Sequence, residues 1–439
     1  MAAANGLRFW PATDVGRVRD HNEDAFLVDK RLNLFVVADG MGGHAAGEVA
    51  SQLASHTVRE YLAERREQLT AYEQGRETDP DLISRILEQA VRQACRAVHE
   101  EGVRDETKRG MGTTLDVLLV IGDRGFIAHV GDARIYMVRR GTVHQLTEDH
   151  SLLNELLKRG RLTRDQIEKL DHKNAVTRAV GVYEDVEVDT LHFDVLAGDR
   201  FLLCSDGLHG YLEESELLGL VDETGEEDIV GRLIELANDR GGKDNITAVF
   251  VRVPDPESGI DRLAREVHLK MEVLHGMPMF RSLTYQQLVR LLNLTAVRSY
   301  APGSPVVHEG EDGEEMFIVL EGAVKVHSGE TALRTLTQGE HFGEMALINQ
   351  VPRTASVSAD SEAQLLVFRR REFFTLLRED HDVAVKLLWA FLGELTERLR
   401  VTSRELGAAR TLLGEDVPVD LPLGMPPVAP PDGGGEPAR

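Results

Sequence analysis

The chain has 439 residues, 42% of them hydrophobic, and a formal net charge of −24. This length predicts two or three domains rather than one, and the acidic balance excludes a nucleic-acid footprint. Two cysteines, Cys95 and Cys204, are too few for a disulfide framework and suit a reducing cytosol; with no signal-type N-terminus and no run of 18 apolar residues, a cytoplasmic protein without a membrane partner is expected.

Residues 5 to 253 carry apolar runs of strand length, among them LNLFVVAD, TTLDVLLVIG, RGFIAHVGDARIYMV, DRFLLCSDG and NITAVFVRV. Valine, isoleucine and phenylalanine dominate them, and glycine or aspartate bounds them. Helical patterns lie between. Residues 47–63 place Val49, Leu53 and Leu62 near one face, and residues 81–101 do the same with Ile83, Leu87, Val91 and Val98. Strands mixed with long helices predict an α+β layered domain. VPDPESG at 253–259 marks a boundary, and a helix is expected over 260–275. From 297 to 369 short strands alternate with glycine turns, which predicts a small β-barrel or jelly roll. Residues 372–410 read as helical, with an apolar stripe. The end of the chain is rich in proline and glycine and reads as a disordered tail.

Several carboxylates sit where strands end: Asp39 in ADG, Asp132 in VGDAR, Asp206 in CSDG and Asp244 in KDN, with Glu23 and Asp24 in RDHNEDAF. Each Asp-Gly pair alone is ordinary turn chemistry. If the strand ends converge, like charges raise one another's pKa values or a cation binds. Oxygen ligands without a local His or Cys set favour a hard ion, Mg²⁺ or Mn²⁺. Two such ions sharing a carboxylate can activate a water for in-line attack on phosphorus.

The order and spacing of TDVGRVRDHNEDAF, ADGMGGHAAGE, RGMGTTL, HVGDARIY, LTEDHS, TRAVG, CSDGL and GGKDNITAV resemble the metal-dependent serine/threonine phosphatases of the protein phosphatase 2C family, in its bacterial form. The resemblance covers about residues 8 to 253. It implies an α-β-β-α sandwich that hydrolyses phosphoserine or phosphothreonine without a covalent phosphoenzyme. Asp39 would bridge two metal ions, with the Gly40 carbonyl on the second. Asp206 and Asp244 would complete the first site, Asp132 with Asp206 would form a third, and Glu23 and Asp24 would contact the second ion directly or through water. Arg19 would bind the substrate phosphate, a task that suits a planar guanidinium. His44 has two readings, a general acid toward the leaving oxygen or a structural histidine beside the site. The family's mobile flap would fall at 150–176.

In the second part, HFGEMALINQVPRTASVSAD at 341–360 is the densest motif. Gly343 and Glu344 open a short helical turn through Met345 and Ala346, whose free N–H groups suit an anion. Arg353 can neutralise a phosphate charge, and Glu344 can accept from a sugar hydroxyl. This stretch resembles the cyclic nucleotide-binding domain. The resemblance places the cyclic phosphate on Arg353 and on backbone near Ala346 and Thr354, and the ribose 2′-hydroxyl on Glu344. It leaves cAMP and cGMP both open, and it suggests a helix near 383–400 as a lid, with Leu388, Trp389 and Leu392 as contacts.

The expected organisation is a phosphatase 2C-type domain at 1–254, a linker helix at 255–275, a jelly-roll cyclic nucleotide-binding domain with a C-terminal lid helix at 276–410, and a disordered tail at 411–439. The expected activity is a Mn²⁺- or Mg²⁺-dependent phosphatase acting on phosphorylated proteins and regulated by a cyclic nucleotide. Two alternatives remain at this point. One is a nucleotide-binding adaptor with a non-catalytic phosphatase fold. The other is a constitutive phosphatase whose barrel only localises it.

Overall fold

The computed structural model describes residues 6–42, 46–158, 175–223, 228–255, 262–348 and 351–412. It divides into two compact units, Met1–Arg265 and Glu266–Arg439.

The first unit is organised around the run LFVVA. All five of its residues are buried, so this strand has no solvent face and must lie inside a layered stack. In chain order the strands are β1 (Arg8–Asp14), β2 (Ala25–Asp29), β3 (Leu34–Ala38), β4 (Gly40–Met41), β5 (Gly112–Thr113), β6 (Leu115–Ile121), β7 (Arg124–Val130), β8 (Arg134–Arg139), β9 (Thr142–Gln145), β10 (Asp189–Asp194), β11 (Arg200–Cys204) and β12 (Ile246–Arg252). Two five-stranded antiparallel sheets result, in the orders β1-β12-β11-β8-β9 and β10-β7-β6-β3-β2. They pack face to face: Phe9 meets Phe35 and Phe193 meets Phe201, with ring centroids 5.6 and 5.8 Å apart.

Helices cover the outer faces. Long α1 (Ala46–Glu64), short α2 (Arg66–Glu73) and α3 (Pro80–Arg104) close Val58, Leu62, Leu87 and Val91 over Leu34, Val36 and Val117. Asp79 caps α3, accepting from the Asp81 amide, and Pro80 takes the first helical position, where its missing N–H costs nothing. A short helix, α4 (Leu152–Lys158), follows the last strand of the first half. On the other sheet, α5 (Asp206–His209), α6 (Glu214–Glu223) and α7 (Ile229–Asp239) bury Leu208, Leu217 and Leu233 against Leu202, Ala248 and Phe250. The α-β-β-α sandwich expected from the motifs is therefore present. The expected flap falls largely on 159–174, outside the described residues.

The boundary between the units falls within α8 (Arg262–Gly276), and α9 (Tyr285–Asn293) follows in the second unit. Thr284 and Gln287 form a reciprocal capping box at the start of α9. The strands β13 (Thr295–Tyr300), β14 (Pro305–Val307), β15 (Glu315–Glu321), β16 (Val324–Ser328), β17 (Thr331–Leu336), β18 (His341–Phe342), β19 (Ser356–Ala359) and β20 (Ala363–Arg369) form two antiparallel sheets, β13-β20-β15-β18 and β14-β19-β16-β17. Phe317, Val319, Val324, Val357 and Leu365 fill the space between them. This is the predicted jelly roll. A single turn, α10 (Met345–Ile348), interrupts it.

The helix expected over 372–410 is two helices, α11 (Arg370–Glu379) and α12 (His381–Leu412). The break falls at Asp380, which has extended backbone. Its carboxylate accepts the Val383 amide at 3.0 Å and so starts the second helix. Phe373, Leu376, Val383, Leu387 and Phe391 then close over Ile318 and Phe368. The tail from 413 onward lies outside the described residues.

Candidate functional site

In the first unit the strand ends do converge. Asp39 leaves the end of β3 and is held by its backbone. Its amide donates to Thr114 Oγ1 at 2.9 Å, and its carbonyl accepts from the Thr114 amide at 2.8 Å and Thr113 Oγ1 at 2.9 Å. Asp206 leaves β11 as the first residue of α5 and shares a hydrogen bond with the Asp39 carboxyl. Asp132 lies buried in the turn between β7 and β8. Its carbonyl is 2.8 Å from His209 Nε2.

Asp24, just ahead of β2, is buried and accepts from Ser205 Oγ at 2.8 Å. Arg19 is half exposed and pairs with Asp244 at 2.7 Å. Hydrogen bonding to Asp244 is the leading reason its guanidinium pKa is raised, and the charges of Glu23 and Asp39 reinforce it. Seven of the eight side chains expected at catalytic and metal positions in this domain, together with Gly40, are thus gathered in one cluster. The expected His44, with Gly43, lies outside the described residues.

The electrostatics of this cluster are those of acids that need a cation. Burial comes first in every case. It raises Asp24 to about 7, helped by Asp206 and Asp244, and Asp132 to about 7, helped by Asp206 and Asp149. It pushes Asp39 well above the usual carboxylate range, with Asp24, Asp206 and Asp132 adding to the effect. Asp206 is raised by burial and by Asp244. Glu23 Oε1, Asp24 Oδ1 and Asp206 Oδ1 are buried without a hydrogen-bond partner. Orphaned buried oxygens of this kind are costly unless something positive meets them.

The donors fit hard cations. Among the described residues, no three His, Cys, Asp or Glu side chains gather into a cage that holds an ion by itself. The buried, unpartnered carboxylate oxygens of Glu23, Asp24 and Asp206 are hard oxygen donors of the kind that Mg²⁺ and Mn²⁺ take.

Gly40 owes its identity to a close backbone approach. A Cβ there would stand 2.2 Å from the Gly47 carbonyl oxygen and 2.4 Å from that of Glu23. The missing side chain lets α1 and the loop before β2 close on the strand end. Gly42, at φ +151°, needs glycine for its backbone conformation.

Two positioning residues escaped the sequence reading. Asn245 Oδ1 accepts the Glu23 amide at 2.8 Å, and its Nδ2 donates to the carbonyls of Val15 and His21 at 3.0 and 2.9 Å. One side chain thus staples the Arg19–Glu23 loop to the start of β12. Ser205 ties Asp24 to the Thr247 amide, which donates to its Oγ at 3.0 Å. The available signal was a polar residue, buried in the fold, beside each motif aspartate in CSDG and KDN.

The second unit holds a cavity of about 500 Å³ lined by Gly343, Glu344, Met345, Ala346, Arg353 and Thr354, with Glu397, Val401 and Thr402 of α12 on one side. All six nucleotide-site positions expected from the sequence line it. Arg353 donates to the Glu315 carbonyl at 2.8 Å, while its Nη1 is buried without a partner. Burial lowers its pKa, and Glu315 and Glu344 oppose that. The glycines beside it make room: a Cβ on Gly313 would stand 2.3 Å from Arg353 Nε.

Two expectations change here. The Ala346 amide is not a free donor, because it closes the turn onto the Gly343 carbonyl at 3.0 Å. Leu388, Trp389 and Leu392 do not line the cavity; they are exposed on α12. The helix faces the cavity instead with residues two to three turns further on.

The protein phosphatase 2C family matches residues 16–250 of this chain, and the cyclic nucleotide-binding domain matches residues 297–380. The chain belongs to the protein phosphatase 2C family. The Streptococcus pneumoniae protein phosphatase PhpP is 36% identical over 255 residues, covering 56% of this chain and 97% of that one. The Mycobacterium tuberculosis serine/threonine protein phosphatase PstP is 36% identical over 253 residues, 58% of this chain and 46% of PstP. Among solved structures, the M. tuberculosis phosphatase PstP/Ppp superposes with a TM-score of 0.50 at 34% identity, covering 56% of this chain and 99% of that one. The S. agalactiae serine/threonine phosphatase matches equally, at 0.50 and 34%, over 56% and 100%. These similarities lie in the phosphatase half. Among the described residues of this phosphatase, no helix is long and apolar enough to cross a membrane.

Proposed function

We propose that this phosphatase hydrolyses phosphoserine and phosphothreonine in proteins with a pair of hard divalent cations, and that a cyclic nucleotide bound in its second unit regulates it. The observation that carries the first part is the cluster of buried, orphaned carboxylates beside an exposed arginine. Asp39, Asp206 and Asp244 would hold one ion, and Asp39, the Gly40 carbonyl, Glu23 and Asp24 the other. Asp132 with Asp206 supplies donors for a third. Mn²⁺ or Mg²⁺ in these positions supplies charge stabilisation and lowers the pKa of bound water.

The protein's own groups do the rest. Arg19, tethered by Asp244, presents its guanidinium to the phosphoryl oxygens and orients the ester. Thr113 and Thr114 hold the Asp39 backbone in place, so its carboxylate does not swing as charge builds. Asn245 keeps the Arg19–Glu23 loop in register with Asp244. His44 keeps its two readings, acid to the leaving oxygen or structural support.

For the second unit, the unpartnered Nη1 of Arg353 in a cavity that also contains Glu344 supports a ligand with one phosphate charge and a hydroxyl, as in cAMP or cGMP.

A phosphothreonine peptide assay with Mn²⁺ tests the catalytic part. Asp39→Asn and Asp206→Asn are each expected to lower kcat/KM by about a hundredfold or more, since even the partners of metal ligands are worth 10–100-fold. Full activity in either variant would remove the proposed chemistry.

A further inference from the structure

Helix α5 is a single turn that starts at Asp206 and ends at His209. The turn is closed: the Gly210 amide donates to the Asp206 carbonyl at 2.9 Å, and the His209 amide to the Ser205 carbonyl at 3.3 Å. Residues three apart in a helix lie on one face. The Asp206 carboxyl and the His209 imidazole therefore project from the same side of α5.

His209 reaches across to the other sheet's end. Its Nε2 is 2.8 Å from the carbonyl oxygen of Asp132, in the turn between β7 and β8. A carbonyl oxygen only accepts, so Nε2 carries the hydrogen and donates it. The rest of that turn is gripped from elsewhere. The Gly131 amide donates to His150 Nδ1 at 3.1 Å, and the Gly131 carbonyl accepts the His150 amide at 2.7 Å. Those bonds hold the residue ahead of Asp132. The bond from His209 holds Asp132 itself to the helix that carries Asp206. It does so against a repulsion, since the Asp206 charge helps to raise the pKa of Asp132.

We propose that His209 is a positioning residue for the ion that Asp132 and Asp206 would share. By holding the Asp132 carbonyl to α5 it keeps the two carboxyls together, and so sets the affinity of that ion. The inference rests on the reading above that these two aspartates supply donors for a third ion. Without the bond, the turn loses its freedom and the like charges meet only when the ion binds, which weakens binding; with it, both costs fall on folding. His209 contacts a backbone oxygen and is not itself a ligand. Asp206 keeps its other anchors, the closed turn and the hydrogen bond with Asp39. The ion shared by Asp39 and Asp206 should therefore not depend on His209.

The test is Mn²⁺ binding to the full-length, ion-stripped protein at pH 8, with free Mn²⁺ counted by its electron paramagnetic resonance signal. The wild type should bind three ions, one of them more weakly, and Asp132→Asn should lose the weak one. His209→Ala should weaken that ion by about 10- to 100-fold, the range for groups that orient metal ligands, and leave the two tighter ions in place, which shows that the site remains folded. His209→Gln should recover the wild-type affinity, because its amide nitrogen can donate to the same carbonyl. If the wild type binds only two ions, or Asp132→Asn binds as the wild type does, the shared ion is absent and the inference falls with it. If Asp132→Asn loses the ion and His209→Ala does not weaken it, the role of His209 alone is overturned. Equal weakening of all three ions in His209→Ala, or no recovery in His209→Gln, would make His209 a general packing residue and overturn the proposal as well.

Discussion

At the scale of residues, the clustered carboxyls of the first unit are buried against one another's charge, which raises their pKa values. In the ion-free protein Asp24 and Asp132 titrate at about 7, far above the usual 3.8, because burial and neighbouring aspartates penalise the charged form. The folded protein therefore holds protons here that the unfolded chain releases. Between about pH 4 and 7 this contribution falls as pH rises, since the native state then binds more protons than the unfolded one. A cation must displace those protons, so Mn²⁺ affinity should increase from pH 6 to pH 8, with proton release on binding. Isothermal titration calorimetry in buffers of different ionisation enthalpy measures both; equal affinity at the two pH values would mean that these carboxyls take no part in holding the ion.

At the scale of elements, tight backbone approaches decide where the functional side chains point. Gly207, in the first turn of α5, is an example. A Cβ there would stand 2.0 Å from the Asn245 carbonyl oxygen, so α5 and the start of β12 touch through backbone alone. Gly207→Ala should cost about 1–3 kcal/mol, the usual penalty of overpacking, and should lower activity by displacing Asp206. Gly219→Ala in α6 is the control, because a Cβ there meets nothing within 4 Å and an exchange to alanine inside a helix gains about 0.5–1 kcal/mol. Thermal melts of the two variants should move in opposite directions. A Gly207→Ala protein as stable and active as wild type would show that these elements part without cost.

The sandwich strands were legible in the sequence where they are uniformly apolar, as in LFVVA, ITAVFVR and RFLLC. The edge strands β2, β9 and β10 were not, because partly exposed edges mix polar and apolar residues and weaken the alternation. The break at Asp380 was missed for a related reason: the apolar spacing runs through it, and only the backbone direction changes.

At the scale of the whole molecule, two compact units with separate cores carry separate chemistries, and regulation requires the nucleotide to bind two states of the protein unequally. Coupling of the usual 1–3 kcal/mol corresponds to a change of about 5- to 150-fold. Saturating cAMP or cGMP should shift phosphothreonine-peptide hydrolysis within that range. Arg353→Ala should abolish the response while leaving the rate without nucleotide unchanged, because Arg353 belongs to the second unit. Labelled-nucleotide binding measured alongside separates the possible failures. Binding without a change in rate would leave a barrel that localises or pairs the enzyme, and no binding would remove the ligand itself.

By itself the sequence determined the chemical inventory: which aspartates stand at strand ends, that they are oxygen donors without a His or Cys set, and that one arginine and one glutamate flank a glycine turn in the second half. Those are local properties, written in residue type and spacing. Tertiary structure alone decided which of them meet. It brought Asp39, Asp132 and Asp206 together from three strands of two different sheets, and it made Asn245 and Ser205 the fasteners between loops more than 180 residues apart. It also turned Leu388 and Leu392 away from the cavity and left them exposed. Burial and mutual repulsion depend on distances through space, and no spacing along the chain encodes those.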